Sequence, residues 1–211
     1  MDVNQIIEIL KQLYPEPKCE LNYTQPHELL IAARLSAQCT DKRVNIVTPA
    51  LFARYRTIAD FAAADITELE NMVKTCGLYK TKAANIKQMC ANIQQLHDGV
   101  IPCHTDELLS LAGIGRKTAN LIRGELYGKP AIVADTHVIR LSNRLGLTSG
   151  KDAYKVEQAL WKIIPPEESL QFCHRLVLHG RAICKARKPD CQSCGLKTRC
   201  KYCNSGKVSP E

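Results

Sequence analysis

Leu111-Ala112-Gly113-Ile114-Gly115-Arg116-Lys117-Thr118-Ala119-Asn120 lies between two apolar, helix-patterned segments, 105–111 and 117–126. Two glycines one residue apart give the backbone freedom for a tight reversal that residues with a Cβ resist. Ala112 and Ala119 are small enough to let the flanking helices approach closely. A helix starting near Arg116 turns its first backbone N–H groups out of the reversal, toward any anion placed there. The stretch has the pattern of a helix-hairpin-helix, a sequence-independent grip on a DNA phosphate, with Lys117 where the second helix begins. An ordinary Gly-containing helical turn with a solvated lysine has the same pattern, so by itself the stretch decides little about function.

Outward from it the helical period recurs. Asp2 can cap a helix whose apolar stripe, Val3, Ile6, Ile7, Leu10 and Leu13, ends at Tyr14-Pro15. Further helices are predicted over 27–37, 41–55 with Asp41 as cap, 59–64, 67–75 and 81–97, the last stopped by Asp98-Gly99. After Gly128-Lys129-Pro130, the run Ala131-Ile132-Val133-Ala134 is the one segment that resembles a strand. It is short and isolated, and reads as buried extended chain. Asp135-Thr136 opens a helix ended by Gly146, and helices over 152–163 and 170–184 follow. Nothing alternates with period two for long, so the fold class is all-α.

The 211 residues suffice for one sizeable core or two small lobes, and 45% hydrophobic content fits a globular protein. The formal net charge is +8, and the segment 175–207 accounts for all of it. It holds Arg175, Arg181, Lys185, Arg187, Lys188, Lys197, Arg199, Lys201 and Lys207 against a single acid, Asp190. Such a distribution suggests a polyanionic partner. No run approaches the roughly 18 apolar residues of a membrane span. An amphipathic, not continuously apolar, N-terminus predicts no signal peptide. Both point to a cytoplasmic protein without a membrane partner. In that compartment the scattered Cys19, Cys39, Cys76, Cys90, Cys103 and Cys173 read as small, mostly core residues, and the C-terminal thiols as metal ligands.

The strongest local signal is Cys184-x6-Cys191-x2-Cys194-x5-Cys200, with Pro189 and Gly195 bending the chain. Four thiols in so short a loop can converge on one metal centre. Zinc takes four thiolates but more often from paired knuckles with a longer spacer, and a [4Fe–4S] cluster accepts a compact loop of this kind. The thiol chemistry leaves both open, and Cys203 falls outside the spacing. Lys185, Arg187 and Lys188 lie between the first two ligands, where they can offset a cluster's negative charge and meet phosphates. Asp135, just before Thr136-His137-Val138, is a good helix N-cap. Capping also holds a carboxylate still, as an electrostatic stabiliser requires.

The hairpin, Ala134-Asp135-Thr136-His137, Leu35-Ser36-Ala37-Gln38 and the four-cysteine loop occur together in an order and spacing that resemble the endonuclease III family. Its members are bifunctional DNA glycosylase/AP lyases of the helix-hairpin-helix superfamily. The similarity runs from the first helix to about Cys203. It implies two helical lobes with an active-site cleft between them and damaged double-stranded DNA across its mouth. One lobe is a six-helix barrel over 20–129, containing the helix-hairpin-helix at about 105–126. The other is discontinuous, 1–19 plus 130–211, and carries a [4Fe–4S] cluster on the loop 184–200.

The resemblance also implies roles. Lys117 matches the nucleophile that forms a Schiff base with the sugar as a flipped, damaged base departs. Asp135 matches the carboxylate that stabilises positive charge on that sugar. The amine must be neutral to attack, which partial burial and nearby cations such as Arg116 would favour. Gln38 matches the residue that enters the gap left by the flipped nucleotide, and Leu78 in Gly77-Leu78-Tyr79-Lys80 the apolar wedge opposite. Gly113, Gly115, Arg116 and Thr118, with Lys185, Arg187 and Lys188, are the remaining expected DNA contacts. The expected substrates are oxidised or ring-damaged pyrimidines, cut by β-elimination, and the expected state is a monomer.

Two departures leave the reacting groups intact: Ala112 replaces a proline often found before the first hairpin glycine, and Cys39 stands where alanine is common. A non-catalytic DNA-binding module fits the hairpin and the basic loop but explains neither Lys117 nor Asp135. An electron-transfer protein is a third reading. His137 and Arg140 carry no assignment from sequence.

Overall fold

The computed structural model describes residues 2–205; Lys207 of the basic segment lies outside the described residues. In chain order its helices are α1 (Val3–Leu13), α2 (Pro26–Leu35), α3 (Asp41–Arg54), α4 (Ile58–Ala63), α5 (Ile66–Val73), α6 (Tyr79–Leu96), α7 (Thr105–Ser110), α8 (Arg116–Tyr127), α9 (Thr136–Leu145), α10 (Ala153–Trp161), α11 (Ser169–Ala182) and α12 (Lys201–Asn204). The described residues contain no strand, so the fold is all-α.

Side-chain caps set most helix starts. Asp2 accepts from the Asn4 N–H, Asp65 from Glu68, Asp135 from Val138 and Asp152 from Lys155. Thr57 and Asp60 close a reciprocal capping box on α4. Beyond shifts of one residue, two starts differ from expectation. Thr40 caps α3 by accepting from the Arg43 N–H, which makes Asp41 the first helical residue instead of the cap. Helix α6 begins at Tyr79, two residues earlier than its sequence signal, because Leu78 turns into the helix through a left-handed conformation, φ 47°.

The chain divides into two compact units, Cys19–Lys129 and Met1–Lys18 with Pro130–Glu211. In the first, α6 is the central packing element, with Ala83, Ile86, Met89, Cys90 and Ile93 buried. Phe61 of α4 and Leu69 and Val73 of α5 are buried with them, as are Leu30, Ile31 and Leu35 of α2. Lys82 of α6 is fully buried and donates from Nζ to the carbonyls of Leu35 (2.8 Å) and Cys76 (2.7 Å). It thereby ties the end of α2 to the short 3-10 turn Lys74–Cys76.

In the second unit, Ile6, Ile7 and Leu10 of α1 are buried and α1 packs on α11. Polar contacts seal the joint. The Tyr14 hydroxyl pairs with His179 Nδ1 (3.1 Å), and Arg175 donates to the Tyr14 carbonyl (3.1 Å) while pairing with Glu168 (3.3 Å). Arg175 is therefore a buried structural cation and not part of a phosphate-binding surface. Residues 131–134 are buried and outside any helix, as expected of extended chain. Two of their amides are satisfied from α11: Ala131 donates to Ser169 Oγ (2.9 Å) and Val133 to Cys173 Sγ (3.3 Å).

Candidate active site

In the unit Cys19–Lys129, α7 and α8 form a helical hairpin whose reversal is 111–115. Ile114 donates to the Leu111 carbonyl (3.1 Å) and buries its side chain beneath the turn. Gly113 has φ +77°, and a Cβ there would run into the Arg34 guanidinium and come within 3.0 Å of Asn85 Cγ. Those two side chains are bonded to each other (Arg34 Nη2 to Asn85 Oδ1, 2.8 Å) and form the floor of the hairpin. Gly115 differs: its φ is −100°, and nothing lies within 4 Å of where a Cβ would stand. A glycine there leaves outer space for something approaching the helix start. No side chain caps α8, so its N-terminus presents backbone amides suited to an anion.

Gly113, Gly115, Arg116 and Lys117 are exposed and Thr118 is half-buried. Lys117 stands in the first turn of α8. The partial burial expected for it is not there; the side chain is open to solvent.

Gln38 and Leu78 belong to the same unit and share an unusual feature. Gln38, in the turn after α2, has φ 54°, and Leu78, before α6, has φ 47°. Left-handed backbone is costly for residues with a Cβ, most of all for a branched side chain, and it concentrates at functional positions. Both side chains are exposed, Leu78 by 58%. Leu78 thus holds an apolar side chain out on a strained turn.

In the unit Met1–Lys18 with Pro130–Glu211, Asp135 is half-buried at the start of α9, with Oδ1 accepting from the Val138 N–H (2.8 Å). The helix it caps is clamped from behind. Arg140 donates to the carbonyls of Gly180 (3.1 Å) and Cys184 (3.0 Å) and to His137 Nδ1 (3.1 Å). Gly180 permits the clamp, since a Cβ there would come within 2.6 Å of His137 Nδ1 and 2.8 Å of Arg140 Nη2.

The loop that follows encloses a cavity lined by Cys184, Cys191, Cys194 and Cys200, with Cys203 and Tyr202 beside them. Its atom-free space is about 270 Å³, part of it open to solvent. Among the described residues no three His, Cys, Asp or Glu side chains lie close enough to share one metal ion. Four thiols standing around one cavity are a donor set that would fit an all-cysteine metal centre such as a [4Fe–4S] cluster.

Hydrogen-bond donors face the sulfurs. Leu196 N–H faces the Cys194 sulfur, Tyr202 and Cys203 N–H face the Cys200 sulfur, and Arg144 Nη1 donates to Cys184 Sγ (3.2 Å). His179 Nε2 is 3.3 Å from Cys194 Sγ. Burial pushes the Cys194 thiol up to about 11 and raises Cys191 and Cys200 as well. Such thiols ionise when a metal supplies compensating charge. Lys185, Arg187 and Lys188 are exposed on the same loop.

Sequence reading left Arg140 without an assignment and missed Arg144 and His179. The spacing of Arg140 and Arg144, one helical turn apart on α9, was an available sign that this face meets something electron-rich. The long-range partner of His179 left no local trace. Cys203, unassigned from its spacing, is a side-chain neighbour of Cys191.

Residues 31–166 match the family profile of the HhH-GPD superfamily base excision DNA repair proteins. Endonuclease III of Synechocystis sp. is 46% identical over 197 residues, covering 93% of this chain and 90% of that protein. Endonuclease III of Escherichia coli K12 is 40% identical over 198 residues, 94% of each. Among solved structures, a non-covalent Endonuclease III–DNA complex superposes with a TM-score of 0.92 at 43% identity, covering 97% of this chain and 96% of that one. A trapped covalent Endonuclease III–DNA intermediate gives 0.92 at 42% identity, covering 98% and 97%.

Proposed function

The chain belongs to the HhH-GPD superfamily of base excision DNA repair proteins, and from that premise we propose how its residues act. It is a glycosylase/lyase of damaged DNA. Its substrates are oxidised or ring-damaged pyrimidines in duplex DNA, and its nucleophile is the Lys117 amine. The observation that carries this reading is the placement of Lys117: an exposed amine in the first turn of a helix whose hairpin is shaped for a phosphate. Likeness to a trapped covalent intermediate supports a covalent step. No described helix is long and apolar enough to cross a membrane, and we infer that the chain works on DNA in the cytoplasm.

The target base is stacked in the duplex and must be turned out before any side chain reaches its sugar. Gln38 and Leu78 are the residues we assign to filling the space it leaves. The backbone amides and glycines of 113–118, with Lys185, Arg187 and Lys188, hold phosphates without reading sequence. Lys117 Nζ then attacks C1′; the C1′–N bond to the base breaks and the base leaves with a proton. Ring opening moves electrons onto O4′ and leaves an imine between Nζ and C1′. The imine acidifies the C2′ proton, whose removal expels the 3′ phosphate and cuts the strand. Asp135, fixed by its cap, opposes the positive charge that develops on the sugar as the base departs.

Four cysteines, Cys184, Cys191, Cys194 and Cys200, are the ligands we assign to a [4Fe–4S] cluster. Such a cluster, held there, would crosslink the loop that carries Lys185, Arg187 and Lys188. Arg144 contributes by holding the Cys184 sulfur and the carbonyls of Lys185 (2.7 Å) and Ala186 (2.9 Å) while stacking on Tyr202.

The test is borohydride trapping on a duplex with one thymine glycol. Reduction of the imine should leave the chain covalently joined to DNA, with strand nicking in the unreduced reaction. Base loss without trapping or nicking would mean a water-using glycosylase. Binding without base loss, there and on an abasic duplex, would favour the non-catalytic module. Asp135→Asn separates capping from chemistry, because Asn caps as well as Asp. Its melting temperature should stay close to wild type while the rate of base release falls about 10²-fold.

A further inference from the structure

One buried amine holds both turns assigned to prying DNA open. Lys82, in the first turn of α6, is fully buried. Its Nζ donates to the carbonyls of Leu35 (2.8 Å) and Cys76 (2.7 Å), and both bonds are shielded from water. Its own backbone N–H donates to the Leu78 carbonyl (2.9 Å). Leu35 is the last residue of α2, a short step before Gln38, and Cys76 ends the 3-10 turn just before Gly77-Leu78. Two carbonyl oxygens thus meet at one nitrogen. From each of them the chain runs directly into left-handed backbone, at Gln38 (φ 54°) and at Leu78 (φ 47°).

Folding alone gives no strong reason for a lysine here. An ammonium is costly to take out of water, and an apolar side chain of similar length would fill the same space. What the amine adds is direction: its bonds fix where two main-chain carbonyls stand, and through them the start of each turn. Left-handed backbone persists at residues with a Cβ only where the surroundings over-determine it. Gln38 and Leu78 have exposed side chains, so that constraint has to come through the backbone. The same helix end also reaches the hairpin. Arg34, next to Leu35, lies with Asn85 beneath Gly113. Consecutive residues of α2 therefore support the hairpin floor and receive the Lys82 amine.

We propose that Lys82 is a positioning residue for duplex opening: its buried amine holds the Gln38 and Leu78 turns at one spacing and in one pose, ready to enter the base stack. The proposal rests on the reading of Gln38 and Leu78 as wedges. Turning a base out of a duplex costs stacking and pairing. Side chains already posed to fill the gap have less ordering left to undergo when they enter it. Without the two bonds the turns hold that pose only part of the time, and duplex opening slows by that fraction. Lys82 is shut inside the core, so its influence is confined to the step that uses the wedges. An abasic sugar in a single strand has no partner strand to part, and that step is missing there.

The experiment uses the full-length, metal-loaded chain and reads single-turnover nicking at one abasic site, placed in a duplex and then in a single strand. In Lys82→Met the duplex rate divided by the single-strand rate should fall at least about ten-fold from wild type. A lysine that only completed the core would lower both rates with the folded fraction and leave their ratio alone. Lys82→Gln, whose shorter amide keeps a donor, carries the test if the methionine variant folds poorly, and its ratio should lie between the other two. An unchanged ratio in the folded variant overturns the proposal. Gln38→Ala and Leu78→Ala test the wedges separately: full duplex nicking in both would sink that reading, whatever Lys82→Met does. A wild type that nicks neither substrate would sink the lyase reading, and the proposal with it.

Discussion

Lys117→Ala should abolish the borohydride-trapped complex and lower strand nicking by about 10³-fold or more, the scale seen when a nucleophile that no neighbour can replace is removed. The variant keeps the hairpin, both glycines and the start of α8. Lys117 is exposed, and substitutions at such positions usually change stability by no more than about 0.5 kcal/mol. Affinity for a damaged duplex should therefore fall only a few-fold, by the loss of one cation. A gel-shift titration beside the trapping assay separates the two effects. If trapping survives in the alanine variant, another amine forms the imine and the role assigned to Lys117 is wrong.

Gly113→Ala should have the largest effect on stability, about 3 kcal/mol. A left-handed conformation costs an alanine roughly 1–2 kcal/mol, and forcing a methyl into packed side chains costs about 1–3 kcal/mol more. Here φ is +77° and the new methyl meets Arg34 and Asn85, two side chains that already hold each other (2.8 Å). Neither can move away without breaking that bond. Urea unfolding should show a lower midpoint with an unchanged slope. Gly115→Ala is the matched control, since its φ of −100° and open surroundings strain nothing. It should leave the midpoint alone and weaken DNA binding, because its methyl occupies space kept clear for a phosphate. If both variants behave alike, the division of labour between the two glycines is wrong.

The helices were legible because local signals agree along most of the chain: apolar residues at helical spacing, a capping side chain before, a glycine or proline after. Where they failed, a neighbour decided. Thr40 outcompetes Asp41 as cap because its hydroxyl reaches the Arg43 amide, a choice set by geometry over distances shorter than a pattern resolves. Leu78 starts α6 early by accepting a backbone conformation that its side chain disfavours, which no propensity predicts. The hairpin read directly, as did the four cysteines that line one cavity, since both are short motifs with fixed spacing.

The supports of the site did not read. Arg140 bonds to Gly180 and Cys184, and His179 approaches Cys194; each contact exists only after the chain has folded back. Arg175 looked like one more cation of a basic tail, and only its burial against Glu168 and Tyr14 removes it from that surface. Lys117 was expected to be partly sheltered and is not, a matter of where α8 meets solvent.

The seating of α1 on α11 has a consequence for how the chain is made. The Tyr14–His179 bond joins residues 165 positions apart, so α1 leaves the ribosome long before its partner exists. Cys19–Lys129 is contiguous and can close its core during synthesis, whereas Ile6, Ile7 and Leu10 must wait with their apolar face uncovered. At ordinary elongation rates of about 5–20 residues per second, that wait lasts roughly ten to thirty seconds. Helix α1, translated before α11, is thus among the last of the described helices to find its place. Its exposed stripe is a part of the nascent protein that a chaperone would shield, and the thiols of the loop 184–200 emerge only as that wait ends.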